Sequence, residues 1–408
     1  MTENVRLRHL ARINPPCPRF DRLSADAELT FFPMECIWPG QRLDLTHRRV
    51  KSAVAAGFTR FQDGDVLVPK ITPTFEAGRA VLVNGLHNGV GAGTTELHVL
   101  RAGPRINPRF LFYLVNTHSF LKFGEAEMYG VAGQQRVPDG FLRNLPVRVP
   151  DLEEQCRIAD FLDLELAHIG RLDEVRARQS AVVPERLRAA LDGIFAPSSC
   201  VKETRLKYLF SVRPRYGVLV PHFTDEGVPF IRVNDLLDLP GRIKDVPKIP
   251  VELSRQYSRT VVRRGDVLMS VVGTLGRVAI APEEVAGANI ARAVASLRVH
   301  EGVSSRLLTA WIKSSAFEEQ AVRATASDTA QPTLGMEDLG NFRVRWPLGP
   351  REQDHMVREA LAVESEMKEM VRLIGKQRRL LAERRQALIT AAVTGQLDVT
   401  TARGAEVS

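Results

Sequence analysis

The chain has 408 residues, of which 44% are hydrophobic and 25% charged, and its formal net charge is +8 at pH 7. That length and balance are those of a soluble globular protein divided into two or more domains. No apolar run approaches the ~18 residues of a membrane span, and the opening MTENVRLRHLARIN lacks the apolar centre of a secretory signal, so a cytoplasmic protein with no membrane partner is expected.

Four cysteines, Cys17, Cys36, Cys156 and Cys200, are scattered without a CxxC pair, and the nine histidines include no HExxH. Neither a disulfide framework nor a metal site is expected from such spacing. The positive excess suits a polyanionic partner, because neutralising phosphates supplies sequence-independent affinity, although a basic balance also serves solubility alone.

In chain order, the sequence begins twice. RLRHLARINP from Arg6 is answered by RLKYLFSVRP from Arg205, 199 residues on. LTFFPMECIWPG from Leu29 aligns with VPFIRVNDLLDLPG from Val228, placing Phe31 on Phe230. The motif Gly64-Asp65-Val66-Leu67 recurs 201 residues later as Gly265-Asp266-Val267-Leu268. NLPVRVP (Asn144 to Pro150) matches NFRVRWP (Asn341 to Pro347) at an offset of 197, and Glu154-Gln155 matches Glu352-Gln353 at 198. Ordered matches at nearly one spacing identify a duplicated unit with small loop insertions.

Within each unit the alternating runs DVLVPKI, RAVLV, ELHVL, DVLMSVV and RVAIA predict strands of a sheet-rich domain. PRFLFYLVNTHSFLKF (Pro108 to Phe123) and its counterpart SRLLTAWIKSSAFEEQAV (Ser305 to Val322) each predict one helix. A much longer helical pattern closes each unit. In the first, Leu162, Leu166, Ile169, Asp173, Arg176, Ser180, Val183, Leu187, Ala190 and Ile194 step alternately by 4 and 3. In the second, Ala360, Glu364, Met367, Val371, Ile374, Arg378, Leu381, Arg385, Leu388 and Ala392 repeat that stepping. Both describe an apolar seam on a helix of about 40 residues, about 60 Å long, and two such seams satisfy each other most simply as an antiparallel coiled coil within the chain. Pro184 is expected to kink or restart the first helix. The polar seam positions are either tolerated defects, the simpler reading, or places where a partner packs.

The expected fold class is therefore α+β: two sheet-rich domains in pseudo-twofold tandem repeat, each followed by a long helix. The boundaries expected are residues 1–150 for the first sheet domain, 151–196 for its helix, 197–347 for the second domain, 348–399 for its helix, and 400–408 for a flexible tail.

Two stretches invite an enzymatic reading. Asn14-Pro15-Pro16-Cys17 resembles the NPP(Y/F) element of amino-methyltransferases, but cysteine replaces the aromatic and the duplicate position reads Val212-Arg213-Pro214-Arg215, so a strand-ending turn is the better reading. GVGAG, Gly89 to Gly93, resembles a cofactor-binding glycine loop, yet it precedes the strand-like TTELHVL rather than a helix, and a flexible loop between strands is expected. Glu366-Met367-Lys368 matches a nuclease ExK only within the heptad helix. No catalytic residue, metal ligand or cofactor is expected.

Binding remains. In each sheet domain a loop rich in small and hydrogen-bonding residues precedes the closing strand, GVAGQQRVPDG (Gly130 to Gly140) and TASDTAQPTLG (Thr325 to Gly335), with Gln134 and Gln331 coinciding at 197. Amide and guanidinium groups read base edges, glutamine on adenine and arginine on guanine. The candidate DNA-binding residues are Lys70, Thr72, Thr74, Gln134, Gln135 and Arg136 in the first unit and Thr274, Arg277, Thr329, Gln331 and Thr333 in the second. Arg136 and Arg277 suit either phosphate positioning or base reading. Singly, each of these is equally a solvated loop residue; the paired loops carry the reading.

The unit start RLKYLFSV, the GDVL strand, the VxVP edge followed by EEQCRIADFLDLE, and above all ALITAAVTGQLDV (Ala387 to Val399) with its upstream Arg351-Glu352-Gln353 resemble the specificity (S) subunit of type I restriction–modification systems, over nearly the whole chain. The resemblance implies a non-catalytic subunit whose two target-recognition domains each read one half of a split, asymmetric site on double-stranded DNA. It implies also that the long helices space the domains and dock two methyltransferase (M) subunits and restriction (R) subunits, which carry the chemistry. The helix residues it would involve are Leu162, Leu166, Ile169, Val183, Leu187, Met367, Val371, Ile374, Leu381 and Leu388. The first unit departs from the pattern in AALDGIF (Ala189 to Phe195), a degraded counterpart of ITAAVTG, and in Pro184. The alternatives are an orphan DNA-binding or coiled-coil scaffold protein without a cognate methyltransferase, and a self-contained methyltransferase, which would have to bind S-adenosylmethionine.

Overall fold

The doubled start has a structural reason. In a computed structural model, which describes residues 3–38, 42–131, 133–326 and 331–399, each start strand pairs with the strand that closes its own unit. The chain divides into two units, one made of Met1–Arg176 with Lys376–Ser408, the other of Ala177–Gly375. The division falls inside the two long helices, between Arg176 and Ala177 in the first and between Gly375 and Lys376 in the second.

The first unit is built from β1 (Glu3–Arg6), β2 (Ala11–Ile13), α1 (Pro18–Arg22), β3 (Glu28–Phe32), β4 (Ile37–Trp38), β5 (Arg42–Leu43), β6 (Arg48–Val50), β7 (Thr59–Gln62), β8 (Asp65–Pro69), β9 (Val81–Leu82), β10 (Val90–Gly93), β11 (Leu97–Ala102), α2 (Pro108–Leu114), α3 (His118–Ala126), α4 (Asp139–Asn144), β12 (Pro146–Val149) and the start of α5 (Leu152–Ile194). Strand orders are β6-β3-β10-β7 and β2-β11-β8-β9, with β1 on β12 and β4 on β5. β1 and β12 run antiparallel, Val5 opposite Val147, and the Leu7 amide donates to the Leu145 carbonyl at 2.9 Å. β3 and β10 pair in parallel.

The second unit repeats this plan with β13 (Val201–Arg205), β14 (Arg215–Tyr216), β15 (Val228–Ile231), α6 (Leu239–Arg242), β16 (Lys248–Ile249), α7 (Val251–Gln256), β17 (Val267–Ser270), β18 (Val278–Ile280), β19 (Asn289–Ile290), β20 (Val294–Leu297), α8 (Ser305–Ile312), α9 (Ser315–Ala324), α10 (Met336–Asn341), β21 (Arg343–Pro347) and the start of α11 (Pro350–Val393). β13 lies antiparallel on β21, the Leu206 amide meets the Phe342 carbonyl at 2.9 Å, and β15 pairs in parallel with β19. The sheet order β14-β20-β17-β18 matches that of β2-β11-β8-β9.

The recurring Glu-Gln pair is explained by its glutamine. Gln155, buried on the first turn of α5, accepts from the Asn107 amide at 2.7 Å and donates to the Arg105 and Pro150 carbonyls at 3.1 and 2.9 Å. Gln353 accepts from the Ser304 amide at 2.9 Å and donates to Gly302 at 2.9 Å. Each glutamine thus fixes the residue that caps the helix above it: Asn107 caps α2 and Ser304 caps α8.

Three sequence expectations change. The single helices expected over Pro108–Phe123 and Ser305–Val322 are each two, because polar side chains turn back onto the preceding carbonyls. Thr117 Oγ1 donates to Leu114 O at 2.8 Å while accepting from the Phe120 amide at 3.3 Å, and Ser314 Oγ donates to Trp311 O at 2.6 Å. The GVGAG loop is a buried strand from Val90 to Gly93: a Cβ on Gly91 would stand 2.1 Å from the Phe61 ring and one on Gly93 2.6 Å from the Phe32 carbonyl. Glycine serves there to admit the stacked Phe32 and Phe61 rings, 5.3 Å apart. Finally, Pro184 does not restart the first helix, which runs unbroken from Leu152 to Ile194. The motif at Asn14 is a turn: β2 ends at Ile13 and Asn14 takes a φ of 50°.

The helix seams lie on the covered sides. Leu162, Leu166, Ile169, Ile389, Ala392 and Val393 join the core of the first unit, where Leu381 and Leu388 pack against it. Burying each leucine, isoleucine or valine of this set contributes about 1.5–3 kcal/mol. Asp173, late in its segment of α5, pairs with Arg378 at 2.7 Å, early in its segment of α11, as antiparallel helices require. In the second unit Leu191, Met356 and Ala360 are core residues with Leu187 packed against them; Val183 and Ile374 are buried and Met367 half-buried. Val371 is 47% exposed; at that turn the half-buried residue is Met370.

Candidate nucleic-acid interface

The strand carrying each GDVL motif ends in a loop, and in both units that loop is hydrogen-bonded to the loop ahead of the closing strand. In the first unit the Thr72 amide donates to the Gln135 carbonyl at 3.0 Å and the Val137 amide to the Lys70 carbonyl at 2.8 Å, with Ile71 bridged to Arg136. In the second, the Gly273 amide donates to the Pro332 carbonyl at 2.9 Å and the Leu334 amide to Val271 at 2.8 Å, with Val272 bridged to Thr333. These are the same three links at the same offsets, 201 on one loop and 197 on the other. Two loops distant in sequence are held edge to edge, twice.

The pairing gathers Lys70, Thr72, Gln134, Gln135 and Arg136, with Thr74 a turn away, and in the second unit Thr274, Gln331 and Thr333. Thr329 lies outside the described residues, as do the 400–408 tail and parts of both loops (132 and 327–330). The gathered side chains play different parts. Thr72 Oγ1 accepts from the Gln135 amide at 3.1 Å and Thr74 Oγ1 donates to Ile71 O at 2.6 Å, so both frame the loop. Gln134, Gln331, Thr274 and Thr333 are exposed, whereas Lys70, Gln135, Arg136 and Arg277 are half-buried. The Gln331 amide nitrogen passes 3.2 Å from where a Cβ on Gly273 would sit, at a positive φ of 73° that suits glycine.

Residues that sequence reasoning missed hold these loops. Arg136 is clamped on Glu96, Nε to both carboxylate oxygens at 3.2 and 3.0 Å and Nη2 at 2.9 Å, which holds the Glu96 carboxyl below its usual range. The ridge just beyond is held by His98, buried at 2% exposure. Its Nε2 lies 3.0 Å from the Val137 carbonyl, and its Nδ1 lies 3.1 Å from Asp139 and 3.3 Å from Asn14 Nδ2. Burial, against the opposing pull of that carbonyl and of Asp139, keeps the imidazole below its ordinary pKa. Asn14 Oδ1 accepts from the Val99 amide at 2.9 Å, and its Nδ2 donates to Asp139 at 3.0 Å. The asparagine of the NPPC turn is thus a structural link between β2, β11 and α4. In the second unit Arg277 donates to Asn234 at 3.2 Å, and its amide to Ser270 Oγ at 2.9 Å. Only the pairing of distant loops makes Glu96, His98 and Asn234 relevant, and no local pattern marks them.

No helix among the described residues is long and apolar enough to cross a membrane. No family model matches the chain. Among curated proteins, the type I restriction enzyme EcoEI specificity subunit of Escherichia coli is 40% identical over 160 residues, 38% of this chain and 26% of that protein. The EcoAI specificity subunit of Escherichia coli is 42% identical over 156 residues, 37% of this chain and 26% of that protein. The EcoBI specificity subunit, from the same organism, is 30% identical over 243 residues, 53% of this chain and 50% of that protein. The matches thus span half or less of these relatives' own length. Among solved structures, a chain from work on complex assembly and conformational transition of the type I R-M system superposes with a TM-score of 0.73 at 20% identity, covering 97% of this chain and 98% of that one. The HsdS subunit from Thermoanaerobacter tengcongensis gives 0.56 at 20% identity over 97% of each chain. The likeness is to specificity subunits in sequence, over part of the chain, and in fold, over nearly all of it.

Proposed function

We propose that this chain, a relative of type I restriction enzyme specificity subunits, is itself a DNA sequence-specificity subunit that reads a bipartite, asymmetric site. The first sheet domain (1–150) reads one half-site through Lys70, Gln134, Gln135 and Arg136, and the second (197–347) reads the other through Thr274, Arg277, Gln331 and Thr333. The observation that carries this reading is the duplicated loop pairing: each unit presents an exposed glutamine, Gln134 in the first and Gln331 in the second, on a ridge tied by its own backbone hydrogen bonds. A held backbone is what bidentate base recognition by these glutamines requires, because each bond to a base edge must be made at one distance and angle. The two ridges differ in composition, Arg136 standing where the second unit has Thr333, which suits half-sites of different sequence.

The long helices in this reading dock two methyltransferase subunits and restriction subunits, and the chain itself catalyses nothing and needs no cofactor. The excess of positive charge supplies phosphate attraction that is common to all sequences and weakens with salt. Two linked readers bind a split site far more tightly than either alone, since the second contact is made at high effective concentration.

The test is to map methyladenine across the genome of cells that express this chain with its neighbouring methyltransferase subunit, against cells lacking this chain. A split, asymmetric motif of fixed gap that appears only with the chain is the expected result. An unchanged methylation pattern, with the methyltransferase active alone or with another subunit, would overturn the proposal and favour the orphan DNA-binding or scaffold reading.

A further inference from the structure

Away from the paired loops, the first unit gathers a second set of chemically capable side chains. Cys36 ends a short 3-10 turn, Met34–Cys36, just ahead of β4. Asp44 follows β5, and His47 stands immediately before β6. The Asp44 amide donates to the Cys36 carbonyl at 3.2 Å, so the hairpin of β4 and β5 carries these two residues opposite each other. The Phe31 amide donates to the His47 carbonyl at 3.0 Å, fastening the third residue to β3. One ligating atom each from Cys36, Asp44 and His47 then lies within 4.8 Å of the other two.

We propose that Cys36, Asp44 and His47 form a binding site for a divalent transition metal, zinc by the chemistry of its donors, with a fourth coordination position open to solvent. Thiolate, imidazole and carboxylate together are a donor set for zinc, whereas calcium and magnesium would take oxygen alone. Ligating atoms around tetrahedral zinc stand about 3.5 Å apart, so the donors must draw in slightly from their present spacing. The Cys36 thiol is buried and fixed at 2% exposure, while the His47 and Asp44 side chains are 52% and 33% exposed and can rotate to meet an ion.

The carboxylate is already oriented for that role. Its Oδ1 accepts from the Thr46 amide and hydroxyl at 2.9 and 2.6 Å, which leaves Oδ2 facing His47 Nε2 at 3.4 Å. Hydrogen bonds that hold a ligand from behind in this way raise metal affinity. On binding, the thiol proton passes to solvent and the thiolate bonds the metal, with no change of oxidation state. The second unit resolves the equivalent place differently. There Asp235, buried in the turn after β15, is paired with the Arg232 guanidinium at 3.1 Å, so a side-chain cation sits by the donor. In the first unit a metal ion would take that part and tie the base of the β4–β5 hairpin to the strand beside it.

The experiment uses the full chain, reduced and stripped of metal with a chelator, and titrates it with Co2+ as a coloured probe for zinc. The expected result is a thiolate-to-cobalt charge-transfer band that saturates at one equivalent and is bleached by Zn2+, together with a Zn2+-dependent rise in unfolding temperature. Cys36→Ser should abolish the band, His47→Ala should weaken Co2+ binding at least tenfold, and Cys200→Ser, at an exposed thiol elsewhere in the chain, should leave it intact. Absence of the band, its survival in Cys36→Ser, or its loss in Cys200→Ser would overturn the proposal. Should Cys36→Ser fail to fold, His47→Ala decides alone, because that side chain is half exposed: unchanged Co2+ affinity there overturns the site.

Discussion

Asp65 and Arg101 face each other across the paired strands β8 and β11 as a two-pronged ion pair, with Nε to Oδ1 at 2.7 Å and Nη2 to Oδ2 at 2.8 Å. Asp266, just before β17, and Arg298, just after β20, repeat it at 2.8 and 2.6 Å beyond the last strand pair, Val267 and Leu297. Each aspartate also accepts the amide three residues before it at 2.9 Å, from Gln62 and from Arg263. The aspartate of GDVL is therefore the buried anchor of its sheet. The partners differ in access to water, the Asp65 side chain being 1% and that of Arg101 19% exposed. Arg101→Met strands a fully buried carboxylate and should cost about 3–5 kcal/mol. Asp65→Asn leaves a guanidinium that reaches solvent and should cost about 1–3 kcal/mol. Urea unfolding of the two variants checks the order, and equal costs would contradict it.

Gln155 and Gln353 should each be worth about 1–3 kcal/mol, since Gln155→Leu and Gln353→Leu leave a half-buried helix-capping amide and carbonyls without partners. The expected signature is a drop in unfolding midpoint. Glu154→Ala, on the neighbouring half-exposed residue, should stay within about 0.5 kcal/mol of the parent.

The depressed pKa of His98 makes the first unit sensitive to acid. Burial holds the folded imidazole below its ordinary value of 6.5, so the unfolded chain takes up a proton that the folded chain refuses. Stability is then fully present above about pH 6.5 and declines as pH falls from there toward the folded pKa. The slope of unfolding free energy against pH between 7 and 5 should be shallower in His98→Gln than in the parent; identical slopes would exclude His98 as the source.

If each ridge reads its own half-site, Gln134→Ala should weaken discrimination at one half-site by about 1–3 kcal/mol and leave the other intact, and Gln331→Ala should do the reverse. Binding to duplexes altered in one half at a time measures this. Lys70→Ala, by contrast, should lower affinity for all sequences alike and reduce the salt slope by about one.

Helix length should set the unread gap between half-sites. Deleting one heptad from both α5 and α11 should change the permitted gap or abolish binding to the parent site, as selection from duplexes of varied gap would reveal. An unchanged gap would remove the spacer role.

Much of this was legible in the sequence because duplication doubles every signal. The start strands, the GDVL anchors and the glutamines after the closing strands each recur at one offset, and each recurs because it makes the same bond twice. What stayed hidden depends on contacts between distant segments. Nothing local tells that the Phe61 ring lies over Gly91, which turns an apparent glycine loop into a strand. Asn116 and Thr117 read as ordinary positions within one helix until their side chains are seen returning to Phe112 and Leu114. Within the candidate interface, Gln134 and Gln331 could be named from composition, but Glu96 and His98 could not, because their part is defined by Arg136 and Val137 some 40 residues away. Cys36, Asp44 and His47 follow no recognised ligand spacing, and a hairpin brings them together.

The first unit closes its core with residues from beyond Lys376: Ile389, Ala392 and Val393 lie among Leu162, Leu166 and Ile169. The second unit is one continuous stretch, Ala177–Gly375. During synthesis, at about 5–20 residues per second, the part of the chain made first must therefore wait with an apolar face uncovered while the part made second can already be complete. A chain that ends before Lys376 leaves its leading half unable to complete this core, and the leucines and isoleucines it leaves uncovered are the kind of surface that chaperones and proteases recognise.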